Sequence, residues 1–484
     1  MTQAAFVVVA NRLPVDRDPG GGWRTSPGGL VTALEPVMRR ADGAWVGWAG
    51  QADIDLAPFD ADGLHLVPVP LSADDVENYY EGMSNDTFWP LYHDVISPPR
   101  YRRVWWDAYE RVNRRFAEAA AAIAAPGATV WVQDYQLQLV PRMLRDVRPD
   151  VTIGYFHHIP FPAYGLYSQL PWRRQVLEGL LGADVVGFQR VADAGNFARA
   201  VRRQLRLDTK ASGISVPTPD GGTRTVLAKA FPISIDADSY AELAARPSIQ
   251  ARAAEIRAGL GNPRTVILGV DRLDYTKGIR HRLKAFGELL GDGRLRVEDT
   301  TLVQVASPSR ERVDAYMQLR DEIELSVGRI NGTYDSVGHS AIRYLHHSYP
   351  REEMVALYLA ADVMLVTALR DGMNLVAKEY VASRNDNRGV LVLSEFAGAA
   401  DELGSALMVN PHDIDGLKDT IVRAIEMPPA EQGRRMRALR RRVFEQNVDV
   451  WSRSFLDALT ATARTSVRRG TARTSARRAK KGAS

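Results

Sequence analysis

The stretch "DVMLVTALRDGMNLVAKE", from Asp362 to Glu379, contains an apolar run that ends abruptly at an arginine, an aspartate and a glycine. The run has the length and composition of a buried strand, and "MNLVAKEYVAS" carries apolar residues at helical spacing. The stretch therefore predicts a strand, a short loop and a helix. Because the first N–H groups of a helix have no internal partner and favour an anion, it also predicts an anion site at Gly372 to Leu375.

Short β-rich runs alternate with helical patterns along the whole chain, which predicts parallel sheets covered on both faces. The runs are "AFVVVANR", "AWVGWAG", "HLVPVP", "TVWVQD", "VTIGYFHHIP", "DVVGFQ", "TVILGVDR", "TLVQVAS", "IRYLHH", "DVMLVTAL", "VLVLSE" and "ALMVNP". The segment "FPISIDADSYAELAARPSIQARAAEIRAGLGNPR" has no strand pattern and separates two series of runs, so we place a boundary near Ile235 to Asp238.

The predicted fold class is α/β, with two Rossmann-like doubly wound parallel-sheet domains facing a cleft. Residues 1–235 form one domain, residues 236–463 form the other with the C-terminal helices, and residues 464–484 are a basic disordered tail. Ligands of open parallel sheets bind beyond the carboxyl ends of the strands, so the residues that follow each strand are the candidates for a site.

Composition excludes several classes of protein. The 484 residues include no cysteine, which rules out disulfides, thiolate nucleophiles and Cys-ligated metals. The start "MTQAAFVVVANRLP" has no basic region, and no later run reaches the ~18 apolar residues of a membrane span, so we expect a cytoplasmic protein that does not bind membranes. The tail from Arg464 holds eight Lys or Arg and no acidic residue, but it lacks stacking aromatics, and nucleic-acid binding is not expected.

Common cofactor motifs are also absent. The sequence contains no G-x-G-x-x-G, no Gly-Lys dipeptide and no H-E-x-x-H. The histidine pairs His157–His158 and His346–His347 lack ligand spacing with carboxylates, so no metal site is predicted. We expect no required cofactor, although a divalent cation could stimulate the protein without being essential.

Two cations follow the strand "TVILGVDR", in the segment "LDYTKGIRHR". Arg272 and Lys277 would lie at the same sheet edge as Asp371 and the helix start, and together they favour a diphosphate. An ion-pair network on a solvated helix is the alternative for either cation alone. Glu379, about one and a half turns inside the helix, is too deep for a diphosphate but suits the diol of a ribose, which points to a nucleotide.

The first domain supplies a second group of candidates. Arg12 at a strand end and the glycine-rich "SPGGL" with Gly29 suit a phosphate. Tyr80 and Trp89 of "NYYEGMSNDTFWP" suit the apolar face of a sugar, although such residues are more often plain core. Asp134, at a strand end, is suited to accept hydrogen bonds from sugar hydroxyls.

The segments "DRLDYTKG", "LRDGMNLVAKEY", "FHHIPFP" and "NYYEGMSNDTFWP" resemble signature segments of the trehalose-6-phosphate synthase family. The resemblance runs from about Val9 to Trp451. It implies the two-Rossmann-domain (GT-B) architecture of retaining glycosyltransferases. It also implies transfer of glucose from a nucleoside diphosphate glucose to glucose 6-phosphate, giving α,α-trehalose 6-phosphate, and we expect a homo-oligomer.

The resemblance also implies a role for each matching residue. The catalytic residues would be Asp371, His158, Arg272 and Lys277, with Asp371 holding the transferred glucose and His158 contacting it. The donor site would comprise Arg272, Lys277, Asp371, Gly372, Met373, Asn374, Leu375, Glu379 and Gly29. The acceptor and its phosphate would be surrounded by Arg12, Tyr80, Trp89, Asp134 and Arg310 of "VASPSR". The family usually has histidines where this chain has Gln133 and Gln136, which changes the polarity beside Asp134.

The family mechanism is a front-face displacement in which the leaving phosphate oxygen takes the acceptor proton. Preorganised electrostatics is then the main catalytic term. Two alternatives remain open from the sequence: a sugar phosphorylase with pyridoxal phosphate on Lys277 or Lys378, and a catalytically silent sensor that binds both ligands.

Overall fold

The computed structural model describes residues 3–17, 22–25, 31, 34, 38–39, 43–210 and 212–462. They form two compact units. The first contains the described residues up to Pro232 together with those from Trp451 onward, and the second contains Ile233–Val450. No helix of the described residues is long and apolar enough to cross a membrane.

The strands of the first unit are β1 (Ala4–Arg12), β2 (Val15–Arg17), β3 (Trp23–Thr25), β4 (Ala44–Trp48), β5 (Phe59–Ala61), β6 (Leu64–Pro68), β7 (Ala124–Gln133), β8 (Thr152–His157), β9 (Val185–Phe188), β10 (Thr209–Lys210), β11 (Gly213–Pro217) and β12 (Thr223–Ala230). All except β2 and β3 form one sheet in the order β10-β11-β12-β9-β8-β7-β1-β4-β6-β5. Its centre is parallel and its two edges are antiparallel. The strands β2 and β3 pair separately as an antiparallel ribbon.

The helices of the first unit are α1 (Ala73–Asp75), α2 (Trp89–Tyr92), α3 (Arg103–Ile123), α4 (Val140–Val147), α5 (Tyr164–Tyr167), α6 (Arg173–Leu180) and α7 (Val191–Leu205). A π-helix, Val76–Phe88, joins α1 to α2, and the N–H of Trp89 bonds to the carbonyl of Ser84 five residues back. A short 3₁₀ turn, Tyr135–Leu137, follows β7.

The C-terminal helix, residues 448–462, contributes Trp451 and Phe455 to the core of the first unit. The Phe455 ring stacks on Trp131 of β7 with 4.6 Å between centroids. It fills the space above Gly154 and Gly187, where a Cβ atom would lie less than 3.0 Å from the ring. The chain from Trp451 therefore lies in the first unit, whereas the sequence assigned the C-terminal helices to the second domain. The cause is long-range packing of aromatic rings, which helical spacing does not reveal.

The second unit is built on a fully parallel sheet in the order β15-β14-β13-β16-β17-β18. Its strands are β13 (Thr265–Arg272), β14 (Thr300–Ser307), β15 (Ile342–Leu345), β16 (Val363–Val366), β17 (Val390–Ser394) and β18 (Leu407–Val409). Its helices are α8 (Ala237–Ala245), α9 (Pro247–Gly259), α10 (Ile279–Gly291), α11 (Asp314–Tyr334), α12 (Arg351–Ala360), α13 (Leu375–Ser383), α14 (Ile414–Ile425) and α15 (Pro429–Glu445), with 3₁₀ turns at Tyr275–Lys277 and Gly398–Asp401.

The sequence located the parallel strands of both sheets and missed most strands of the antiparallel segments. Each of the predicted β-rich runs contains a strand, and the strandless segment forms α8 and α9. The strands β2, β3, β5, β10, β11 and β12 were not predicted. Most of these are short or partly exposed, so they lack the continuous apolar run that marks a buried parallel strand. The tail at 464–484 lies outside the described residues.

Candidate active site

In the second unit, the end of β13 and the start of α10 bring two predicted cations to one sheet edge. Arg272 is the last residue of β13 and is exposed, whereas Lys277 closes the 3₁₀ turn and is buried. The following Gly278 has a φ of +67°. A Cβ atom there would lie less than 3.0 Å from the carbonyl oxygen of Thr367, so a glycine is required for this turn to pack against the end of β16.

Lys277 and Asp371 form an ion pair. The Nζ of Lys277 lies 2.6 Å from Oδ2 of Asp371, and the two side chains are 11% and 14% exposed. Asn374 donates to the same carboxylate oxygen through Nδ2 at 3.2 Å. The structure therefore places Lys277, predicted to bind the diphosphate, in direct contact with Asp371, predicted to bind the glucose.

The predicted helix start is also present. Asn374, with a φ of +84°, is the N-cap of α13, and its Oδ1 accepts a hydrogen bond from the N–H of Ala377 at 3.1 Å. The N–H groups of Leu375 and Val376 precede the first intrahelical hydrogen bonds and lie at the positive end of the helix. This end of α13 can receive an anion.

A second loop, at residues 396–399, holds the loop before α13 in place. The backbone N–H of Asp371 donates to the carbonyl oxygen of Phe396 at 3.2 Å, and the carbonyl oxygen of Asp371 accepts from the N–H of Gly398 at 3.2 Å. Ala399 donates to the carbonyl of Met373 at 2.7 Å. A Cβ atom on Gly398 would lie less than 3.0 Å from the Gly372 carbonyl oxygen. Gly398 was not predicted as a site residue, although a glycine shortly after the strand "VLVLSE" was a possible signal.

Glu379 lies between two phenol groups. Tyr358 donates its hydroxyl to Oε2 of Glu379 at 2.8 Å, and the hydroxyl of Tyr240 also bonds to this carboxylate. Burial raises the pKa of Glu379, and the bonds from the two tyrosines oppose that rise. The carboxylate is therefore held in one orientation, one turn beyond the N-terminal end of α13.

Arg310 lies in an ion pair that the sequence did not predict. Its Nη1 is 2.9 Å from Oδ2 of Asp274, and the side chains are 5% and 0% exposed. Burial alone would raise the pKa of Asp274, but Arg310, Arg272 and Lys277 together hold it well below its ordinary value. Asp274 thus offsets part of the positive charge of these three residues, each of which was predicted to bind a substrate. The hydroxyl and the N–H of Thr276 both donate to Oδ1 of Asp274 at 2.9 Å.

The first unit contains a cavity of about 300 Å³ at the carboxyl ends of its central strands. Its polar lining includes three predicted acceptor ligands and two neighbouring amides, namely Arg12, Tyr80, Asp134, Gln133 and Gln136. Arg12 is 44% exposed and pairs with Asp16 at 3.2 Å. Its guanidinium lies 5.1 Å from the Trp48 ring centroid. The cavity therefore combines a cation, a carboxylate and a phenol, groups that can form hydrogen bonds and ion pairs with a polar, negatively charged ligand.

The π-helix carries Tyr80 to this cavity. The preceding Tyr79 is fully buried and donates its hydroxyl to Oδ1 of Asn11 at 2.8 Å, which anchors the helix to the end of β1. Trp89, the other predicted aromatic ligand, does not line the cavity. It is 4% exposed and packs 4.1 Å from the ring of His93 and 5.7 Å from Tyr135.

Asp134 and His158 lie side by side because β7 and β8 are parallel neighbours. Asp134 has a φ of +70°, and its Oδ1 accepts the backbone N–H of His158 at 3.1 Å. The Nε2 of His158 lies 2.9 Å from Oε1 of Gln133. Burial lowers the pKa of His158 to about 3, so its ring is neutral near pH 7. Gly29, the last predicted ligand, lies outside the described residues.

Comparison with known proteins identifies the family. The sequence matches glycosyltransferase family 20 over residues 4–461. This chain belongs to glycosyltransferase family 20. Within the described residues of this glycosyltransferase, no group of three or more His, Asp or Glu side chains is placed to hold a metal ion.

Close relatives of this family-20 chain carry one name. It is 60% identical over 468 residues to the trehalose-6-phosphate synthase of Mycolicibacterium smegmatis, covering 95% of this chain and 93% of the relative. It is also 60% identical over 466 residues to the trehalose-6-phosphate synthase of Mycobacterium avium, covering 94% and 95%. The predicted resemblance to this family is confirmed.

Solved structures of similar proteins agree with the fold. A UDP-forming α,α-trehalose-phosphate synthase from Burkholderia vietnamiensis has a TM-score of 0.88 and 34% identity, covering 96% of this chain and 98% of that one. A Burkholderia xenovorans synthase in complex with glucose-6-phosphate has a TM-score of 0.86 and 35% identity, covering 94% and 99%. An E. coli protein bound with UDP-2-fluoro glucose has a TM-score of 0.85 and 34% identity, covering 94% and 98%. The predicted fold class of this glycosyltransferase is confirmed, whereas the roles of individual site residues stay predictions.

Proposed function

We propose that this glycosyltransferase is a trehalose-6-phosphate synthase that transfers glucose, with retention, from a nucleoside diphosphate glucose to glucose 6-phosphate. The products are α,α-trehalose 6-phosphate and a nucleoside diphosphate. The observation that carries this proposal is the 60% identity, over 95% of the chain, to a protein of that name. The chemistry of the two groups of side chains supports it.

The second unit would bind the donor. Arg272, Lys277 and the N–H groups at the start of α13 offer charge-assisted and helix-terminal contacts to a diphosphate. Glu379, oriented by Tyr358, would accept from the ribose hydroxyls. Asp371 is held beside Lys277 and would accept from hydroxyls of the transferred glucose.

The first unit would bind the acceptor. Arg12 beside the cavity suits the 6-phosphate, and Asp134 suits the hydroxyls of the glucose ring. Tyr80 would cover an apolar face of that ring. Arg310 and Trp89 were also predicted to contact the acceptor. The ion pair of Arg310 with Asp274 and the packing of Trp89 on His93 mean that either contact would require a side-chain rearrangement.

The reaction would break the bond between C1 of glucose and the β-phosphate oxygen, and form a bond from C1 to the acceptor hydroxyl oxygen on the same face. The departing phosphate oxygen would take the hydroxyl proton. Because negative charge grows on that oxygen, the preorganised cations Arg272 and Lys277 would contribute most of the stabilisation. His158, neutral near pH 7, would orient the sugar rather than supply a charge.

The two alternatives are not supported. The relatives described above carry the synthase name, and neither of the lysines near the site is set apart for a Schiff base. Lys277 is paired with Asp371, and Lys378 lies 2.6 Å from Oε2 of Glu402 and 2.8 Å from the carbonyl oxygen of Ile233. The expectations of a homo-oligomer and a cytoplasmic location stay predictions.

The test is turnover of the purified full chain with glucose 6-phosphate and, separately, ADP-, UDP- and GDP-glucose. We expect release of nucleoside diphosphate that depends on glucose 6-phosphate, and a product whose two anomeric protons both show the small coupling of an α linkage. Free glucose in place of glucose 6-phosphate is the control acceptor. Absence of release with every donor, or release that ignores the acceptor, would contradict the proposal.

A further inference from the structure

Gln133, the last residue of β7, was noticed in the sequence only as a departure from the family pattern. In the structure it is fully buried, it lines the cavity of the first unit, and it contacts His158. The contact arises from strand register, since Gln133 pairs with Phe156 of β8 and His158 follows the end of that strand. It joins a residue of the acceptor cavity to a predicted contact of the donor sugar.

The contact with Gln133 favours one position for the hydrogen of the His158 ring. The Oε1 of Gln133 is 2.9 Å from Nε2 of His158, and an amide oxygen can only accept a hydrogen bond. With the amide in this orientation, Nε2 of His158 carries the hydrogen. In a neutral ring this leaves the lone pair on Nδ1, which can accept a hydrogen bond from a sugar hydroxyl.

The other half of the amide points to a ligand. Within the part of the chain that the structure describes, Nε2 of Gln133 is buried and has no hydrogen-bond partner. Buried amide groups are nearly always bonded, and an orphaned one needs an explanation. Since Gln133 lines a polar cavity, a hydroxyl oxygen of a bound sugar is a partner that would complete its hydrogen bonding.

We propose that Gln133 is a positioning residue whose Oε1 holds the hydrogen of His158 on Nε2 and whose Nε2 donates to a hydroxyl of the acceptor sugar. The proposal rests on the proposed function for the identity of the sugar, but the Gln133–His158 contact does not. One amide would then couple acceptor binding to the orientation of the histidine that contacts the donor glucose.

Two nearly isosteric substitutions separate the two halves of the amide. Gln133→Met removes both the acceptor and the donor, whereas Gln133→Glu keeps an oxygen within reach of His158 and removes the N–H groups. Gln136→Met, a second glutamine of the same cavity, is the matched control for the spectrum of His158.

The first measurement is the nitrogen NMR spectrum of the ligand-free protein labelled at histidine, with the His158 signals assigned by their loss in His158→Gln. We expect a hydrogen on Nε2 of His158 in the wild type, in Gln133→Glu and in Gln136→Met, and a mixture of ring forms in Gln133→Met. A hydrogen on Nδ1 in the wild type would mean that the amide is turned the other way, and would overturn the proposal. An unchanged His158 spectrum in Gln133→Met would do the same.

The second measurement is steady-state kinetics. Losing one hydrogen bond to a sugar corresponds to a change of about two- to tenfold, so Gln133→Glu should raise the KM for glucose 6-phosphate by about that factor with little change in kcat. Gln133→Met should raise the KM similarly and also lower kcat, because His158 is released. If kcat and KM were unchanged in both variants, the proposal would be wrong even with the NMR result in its favour. If the wild type had no transferase activity, the proposed function would fail while the NMR measurement still tested the contact.

Discussion

The Nζ of Lys277 and the Oδ2 of Asp371 lie 2.6 Å apart, although 93 residues separate them in the chain. Lys277 follows β13 and Asp371 follows β16, and these strands are parallel neighbours in the sheet of the second unit. Their contact means that the cation proposed for the diphosphate and the carboxylate proposed for the sugar orient each other before any substrate binds.

Lys277→Ala should lower kcat by about a hundred- to thousandfold, because a preorganised cation would no longer stabilise the leaving phosphate. The fold should persist, since Asn374 still donates to Asp371. The measurements are steady-state kinetics and a thermal melt. Lys284→Ala is the control, because Lys284 lies on α10 and its side chain is 63% exposed. This variant should retain wild-type kcat. A folded Lys277→Ala protein with near-normal turnover would remove Lys277 from the mechanism.

Gly398→Ala should impair donor use without unfolding the protein. The new methyl group would collide with the carbonyl of Gly372, so the loop carrying Asp371 and Met373 must shift. We expect a fall in kcat/KM for the donor of at least about tenfold, since small displacements of positioning groups are costly. Gly404→Ala is the matched control because nothing lies within 4 Å of its Cβ position. Equal donor kinetics for the two variants would show that the loop at residues 396–399 is not needed to position Asp371 and Met373.

Arg310→Met should destabilise the second unit, because Asp274 is 0% exposed and would lose the cation that lies 2.9 Å from its Oδ2. Breaking a buried ion pair typically costs about 3–5 kcal/mol, and Arg272 and Lys277 should reduce the loss toward the lower end. Adding Asp274→Asn should recover part of it. Differential scanning calorimetry of the single and double variants measures the effect. Unchanged stability in Arg310→Met would indicate that Arg310 is held weakly and is available for an acceptor phosphate.

Phe455→Ala should destabilise the first unit by about 3–5 kcal/mol, the usual cost of a large cavity in a core. Phe455 is fully buried and stacks on Trp131. All nine tryptophans lie in the first unit, so denaturant unfolding followed by tryptophan fluorescence reports on this unit alone. The exposed Ser454→Ala is the control. A loss below about 1 kcal/mol would show that the C-terminal helix contributes little to this core.

His157 should make the first unit sensitive to acid. It is fully buried, and burial together with the nearby His158 lowers its pKa to about 3. As the pH falls below about 6.5 the unfolded chain binds a proton that the folded protein does not, so stability is lost toward pH 3 by up to about 1.4 kcal/mol per pH unit.

His157→Gln should remove that contribution and make the pH dependence shallower, because glutamine does not titrate. Urea unfolding at several pH values between 7.5 and 4.5, followed by tryptophan fluorescence, measures the slope. His65→Gln, at a partly exposed site, is the control. Identical slopes in the wild type and His157→Gln would show that His157 binds protons equally in the folded and unfolded states, so that folding does not lower its pKa.

The sequence predicted those residues of the candidate site that lie at or just after the end of a buried strand. Arg272, Lys277, Asp371, Arg12 and Asp134 were selected because polar residues after buried strands of a parallel sheet meet at one edge. The helix start at Gly372 to Leu375 was predicted from the same local pattern, and the structure adds that Asn374 is its N-cap. Three features of the site were not predicted, because each depends on segments that are distant in sequence. They are the π-helix that carries Tyr80, the pairing of Arg310 with Asp274, and the packing of the loop at residues 396–399 against the loop before α13.

The sequence by itself determined the class of the fold, the succession of its buried strands along the chain and the residues that end them. Those features depend on periodicity, length and composition, which are local properties of the chain. Only the tertiary structure decided which of those residues touch. It placed Phe455 on Trp131 and so assigned the C-terminal helix to the first unit, and it joined Gln133 to His158. The reason is that buried rings, charged groups and amide donors interact with residues that are close in space. Strand register and packing determine which residues those are.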